Sequence, residues 1–84
     1  MRHVETKRVK QFVTVNADYM ADGTVCPHSV ILDGRYYHVD RVIEIEKSGN
    51  VGSIKGRQRF RIVVGKTETS LYLEDDRWYV RKKV

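Results

Sequence analysis

A single cysteine, Cys26, leaves this chain without the means to build a disulfide framework, the usual reinforcement of small secreted domains. It also excludes zinc ribbons and ordinary zinc fingers, which need several thiolates. No apolar run is long enough to cross a bilayer as a helix, and the opening Met1–Arg8 is too polar for a secretory signal. A cytoplasmic protein with no membrane partner is expected. Neither the Walker pattern nor the dinucleotide fingerprint occurs, no internal repeat is visible, and no segment has the periodicity of a helix of ordinary length.

What is present is alternation. Eighty-four residues are enough for one domain with little margin of stability. Met1–Arg8 lacks periodicity and is expected to be a flexible tail, with residues 9–84 forming the domain. Val9, Gln11, Val13 and Val15 fall on one face of an extended strand, with Phe12 as the exception. Asp22-Gly23 supplies a turn, and a second strand runs over about Val25–Leu32. Pro27 cannot donate a ladder hydrogen bond, so that strand is expected at an edge or a bulge.

Asp33-Gly34 closes a hairpin that sets Leu32 against Arg35, Val30 against Tyr37 and His28 against Val39. The long run to Lys47 then keeps Tyr37, Val39, Ile43 and Ile45 on the apolar face. Arg41 and Val42 break that alternation, and a bulge near Asp40–Val42 would repair it. An arginine on an apolar face needs a carboxylate, so a structural ion pair of Arg41 with Asp40, Asp33 or a C-terminal acid is expected, with an arginine lining a groove mouth as the alternative. Ser48–Gly56, rich in glycine and serine, reads as a mobile loop.

The last third carries the clearest signals. A turn at Gly65-Lys66 places Val64 against Thr67, Ile62 against Thr69 and Phe60 against Leu71. A turn at Asp75-Asp76 sets Leu73 against Trp78 and Leu71 against Val80. Both hairpins then agree on one buried face, which a slip of one residue would turn outward. The expected fold is an all-β, antiparallel, six-stranded meander curled into an SH3-like or OB-like small barrel. A coiled meander that dimerises is the alternative.

The same register gathers Arg59, Tyr72 and Tyr79 in one row of the outer face, and Arg61, Ser70 and Arg81 in the next. Arg57, Glu74 and Arg77 form a third row, expected to be a salt-bridged rim. With a net charge of +5, arginines among exposed tyrosines suit weak, sequence-tolerant binding of RNA or single-stranded DNA. Arg59, Arg61 and Arg81 would hold phosphates while Tyr72 and Tyr79 stack on bases, with Lys82, Lys83 and Arg35 extending the field. The same residues also serve as cross-strand pairs of a solvated sheet, or as anchors of a protein–protein or homodimer interface.

No enzyme, metal or cofactor is expected. Cys26 and His28 share a strand face, but too few further ligands accompany them, and neighbours along a strand do not face each other as nucleophile and base must.

Asp33-Gly34-Arg35, Tyr37 and Val39-Asp40-Arg41-Val42 form a signature with Arg59-Phe60-Arg61, Gly65, Leu71-Tyr72 and Trp78-Tyr79-Val80. It resembles small uncharacterised all-β proteins of Firmicutes bacteria, over roughly Val13–Val80. The resemblance implies a compact intracellular β domain and carries over no catalytic or binding residue.

Overall fold

The computed structural model describes residues 8–48 and 56–83, all of them strand, turn or connecting chain. Most of the expected tail, residues 1–7, and the body of the expected glycine-rich loop, residues 49–55, lie outside the described residues. Eight strands follow in order: β1 (Arg8–Phe12), β2 (Thr14–Tyr19), β3 (Val25–Leu32), β4 (Arg35–His38), β5 (Arg41–Ser48), β6 (Arg57–Val64), β7 (Thr67–Glu74) and β8 (Arg77–Lys83). They make two antiparallel sheets, a larger one in the order β1-β8-β7-β6-β5 and a smaller one in the order β2-β3-β4.

The expectation of six strands in a closed barrel is therefore corrected. Two of the expected strands each bend and pass from one sheet to the other. The first bends at Val13, whose N–H still donates to the Trp78 carbonyl at 3.0 Å. The other bends at Val39-Asp40, where Val39 N–H donates to His28 in the small sheet and Asp40 N–H to Val63 in the large one. Each bend yields two strands, so six become eight, and the sheets pack face to face without closing.

The hairpins follow their turn chemistry. Asp33 and Gly34 both have positive φ, at 51° and 76°, as a type I′ turn requires. Gly65 has φ 63° with an N–H held by the Asp40 carboxylate at 2.6 Å. Asp75 and Asp76 also adopt left-handed conformations, at 53° and 61°. The expected pairs Leu32–Arg35, Val30–Tyr37, Val64–Thr67, Phe60–Leu71 and Leu73–Trp78 all form. At Asp22-Gly23 the connection is longer than a tight hairpin, from Met20 to Thr24, and the Asp22 carboxylate accepts from Thr24 N–H. Pro27 sits at the register shift between Asn16 and Ala17, the bulge expected of it, although β3 is the central strand of its sheet.

The core lies between the sheets. Phe60, Ile62, Leu71, Leu73 and Trp78 of the large sheet meet Val25, Val30 and Val39. Phe60 and Trp78 pack with ring centroids 5.2 Å apart, and the Trp78 indole N–H donates to Tyr19 Oη. The β5 irregularity falls between Val42 and Glu44, slightly later than expected. Arg41 faces solvent instead of the apolar face, and its expected ion pair is not made among the described residues: Asp40 accepts from Gly65 N–H and Asp33 from Gln11. Ile43 and Ile45 also remain exposed, because β5 is the sheet's edge.

Candidate functional site

Alternation along the larger sheet places the expected binding residues on its outer face. The ladder aligns Glu46, Arg59, Tyr72, Tyr79 and Phe12 in one row across all five strands. Arg59, Tyr72 and Tyr79 are thus neighbours as the hairpin registers imply. Their surroundings differ from expectation. Tyr79 is only 1% exposed. Its ring stacks on Tyr72 at 5.1 Å with planes 9° apart, takes the edge of Phe12 at 6.0 Å, and lies under the Lys10 ammonium. Tyr79 Oη donates to Glu74. A ring enclosed this way cannot offer a face to a base, so Tyr79 acts as a packing residue of the sheet.

The arginines are similarly occupied. Arg61 lies between two carboxylates, with Nη1 2.7 Å from Glu44 and Nη2 2.7 Å from Glu68. Hydrogen bonds to Glu68 and then Glu44 raise its pKa above the ordinary arginine value. Arg59 donates Nε–H to the Ser70 hydroxyl and reaches Glu46 at 3.4 Å. Lys10 pairs with Glu74 at 3.1 Å, and this hydrogen bond holds the Glu74 carboxyl below its ordinary pKa. The expected rim row Arg57–Glu74–Arg77 is in register, yet Glu74 bonds Lys10 while Arg77 covers the Phe12 ring at 4.0 Å. The face is a grid of alternating charge, not a positive field.

Arg81 differs. It has no carboxylate partner among the described residues, and its guanidinium carbon lies 4.8 Å from the centre of the Tyr72 ring. It also stands at a break in the sheet. β7 and β8 pair at Glu74–Arg77, Leu73–Trp78 and Tyr72–Tyr79, and there the ladder stops. The expected pairs Leu71–Val80 and Ser70–Arg81 are not made; beyond Tyr79, β8 stays paired only along its other edge, to β1, through Val80–Gln11, Arg81–Lys10 and Lys82–Val9.

A cleft of about 500 Å³ opens at this divergence. Its walls include Val30, Leu32, Ile62, Val64, Leu71 and Val80, and its rim carries Thr67, Thr69, Ser70, Arg81 and Lys82. Gln11 and Asp33, joined at 3.0 Å, lie at its edge. Lys82 thus faces the cleft instead of extending the outer field, and the side chain of Lys83 is outside the described residues.

The divergence leaves main-chain groups without ladder partners. Val13 N–H donates to the Trp78 carbonyl, which fixes the alternation of β8: Trp78, Val80 and Lys82 turn their N–H and C=O toward β1. Arg81 consequently turns its own toward β7. By the same alternation Glu68 and Ser70 turn theirs toward β8. Among the described residues neither row has a ladder partner.

No family model, curated protein or solved structure matches this chain. These comparisons do not bear on the resemblance noted in the sequence.

Elsewhere, His28 Nε2 meets the Asp18 carboxylate at 2.6 Å on the exposed face of the small sheet. No cluster of three metal-ligating side chains occurs among the described residues. Glu44 and Glu46 alternate with Ile43 and Ile45, yet nothing in the sequence brings them to the arginines. The β5–β6 register spans residues 49–55, and no turn signal fixes it. Glu68 was available from the Gly65-Lys66 register, two residues before Ser70 on the same face.

Proposed function

We propose that this protein is a protein-interaction module that takes up an extended segment of a partner between β7 and β8. The observation that carries this reading is the unpaired ladder there: Glu68 and Ser70 on one side and Arg81 on the other present main-chain donors and acceptors across an apolar cleft. Strand addition satisfies such groups and gives affinity largely through backbone hydrogen bonds. Leaving backbone groups unsatisfied away from water costs free energy comparable to a lost hydrogen bond, so a bound strand is favoured wherever it displaces poorly placed water.

The test is amide exchange on isotopically labelled protein, free and with synthetic peptides of about eight residues alternating valine and threonine, a typical strand length. In the free protein, Tyr72 and Tyr79 amides should be protected while those of Ser70 and Arg81 exchange quickly. A binding peptide should slow both, and N-methylation of the peptide backbone should abolish the effect. Ser70 and Arg81 amides already protected in the free protein, or unmoved by any peptide, would remove the proposal.

A second reading, weak binding of RNA or single-stranded DNA, is supported by one observation: Arg81 lies over Tyr72 without a carboxylate. Arg59 and Arg61 already hold glutamates, so a labelled mixed-sequence oligonucleotide should show no binding at moderate salt. Binding at low salt that falls steeply with salt and vanishes in Arg81→Glu would favour the nucleic-acid reading instead.

A further inference from the structure

We infer that the segment taken up between β7 and β8 is amphipathic in a defined register, with apolar residues turned inward and one acidic residue turned outward opposite Arg81. The inference rests on the strand-uptake reading above and specifies the chemistry of its partner.

The two sides of the opening differ in kind. Alternation of a strand sends its side chains to opposite faces, so every second residue of an inserted segment points between the sheets. There it meets Ile62, Val64, Leu71 and Val80, inward-facing residues of the large sheet. Burying a valine- or leucine-sized side chain against such a surface is favourable, and burying a charge there without a partner is not. Lys82 and Asp33 at the inner rim carry opposite charges, so the inner side selects for apolar character, not for a sign.

The outer side is set by individual residues. The row that was expected to run Arg61–Ser70–Arg81 is interrupted between Ser70 and Arg81, and an outward residue of the segment would fill that position. It would stand between a hydroxyl and a guanidinium that lacks a carboxylate. Elsewhere on this face the sheet sets carboxylates beside cations: Glu44 and Glu68 at Arg61, Glu46 at Arg59, Glu74 at Lys10. A glutamate or aspartate supplied by the partner extends that pattern to Arg81.

The next outward position, two residues along toward Gly65, lies beside Glu68, which is already shared with Arg61 by two hydrogen bonds. An acid there would meet a carboxylate. One acid, not a run of acids, is therefore the signature. The inserted strand would run antiparallel to one neighbour and parallel to the other, a mixed pairing that sheets accommodate. It needs about twice the usual 4.8 Å ladder spacing between β7 and β8, reached by splaying them from the closed end at Tyr72 and Tyr79.

The experiment uses the full chain and four peptides of about eight residues with inward valines. One has threonine at every outward position; the others replace the outward residue expected at Arg81 with glutamate, the same residue with lysine, or the next outward residue with glutamate. At low salt the first glutamate peptide should bind at least tenfold more tightly than the lysine peptide, and more tightly than the peptide whose acid is displaced. Arg81→Glu should reverse the glutamate–lysine order, and Arg81→Gln should abolish it. Thr69→Phe, at an exposed cleft residue, should weaken all four by filling the space for the valines.

Equal affinity of all four peptides, with Ser70 and Arg81 amides still protected on binding, would overturn this specificity while strand uptake stands. No protection by any peptide would overturn strand uptake itself. Decanoate that binds in the cleft while every peptide fails would assign the site to small apolar anions and overturn both.

Discussion

Arg61 illustrates how a residue's chemistry is decided by what stands beside it. A guanidinium held at 2.7 Å by Glu44 and by Glu68 has already satisfied the donors that would grip a phosphate. Tyr79 makes the same point for aromatics, since its stack with Tyr72 and its bond to Glu74 turn a candidate binding ring into packing. The Lys10–Glu74 pair gives a prediction with a sign. Because Lys10 lowers the Glu74 pKa in the folded chain, the pair's stabilisation is fully present above the ordinary value of 4.5. It is lost as pH falls through the lower folded pKa. Lys10→Met should therefore lower the melting temperature at neutral pH, and its difference from the unmodified protein should shrink toward zero near about pH 2. A difference independent of pH would show that Lys10 acts through its ammonium over the Tyr79 ring, not through its pair with Glu74.

Among the elements, the hairpins were the most legible. Asp33-Gly34 and Gly65-Lys66 announce their turns by residue type, and the pairs that flank them form as expected. Asp75-Asp76 is less favourable, because two side-chain-bearing residues occupy left-handed backbone, which costs less for aspartate than for most residues but more than for glycine. Asp76→Gly should stabilise the protein by about 0.5–1 kcal/mol in denaturant melts without changing the slope. Destabilisation would mean that the Asp76 side chain makes a contact worth more than the strain.

What turn residues could not convey is how far a ladder continues. The Asp75-Asp76 turn fixes three pairs of β7 and β8, and beyond Tyr72–Tyr79 the two strands part while β8 stays paired to β1 along its other edge. A hairpin register extrapolated past that point joins Ser70 to Arg81 and hides the opening between them.

At the scale of the molecule, two sheets share a core of a few side chains, with Phe60 and Leu71 wholly buried. A core this small leaves little reserve. Leu71→Ala should cost about 2–5 kcal/mol, a large part of a net stability near the lower end of roughly 5–15 kcal/mol. Denaturant melts at 25 °C should then show a midpoint moved far toward zero denaturant, whereas a loss below about 1 kcal/mol would mean that the cleft beside Leu71 closes to fill the space.

The sequence by itself determined the all-β class, three turns and their registers, and the division of β6, β7 and β8 into a buried and an outer face. Those are local matters: turn conformation depends on a few residues, and facing follows from a period of two. Only the tertiary structure decided that two strands bend between sheets, that Glu44 and Glu46 neutralise the arginines across a register no turn signal fixes, and that β8 parts from β7 beyond Tyr79 while staying paired to β1. Each depends on contacts between segments far apart in the chain, and no local pattern records its outcome.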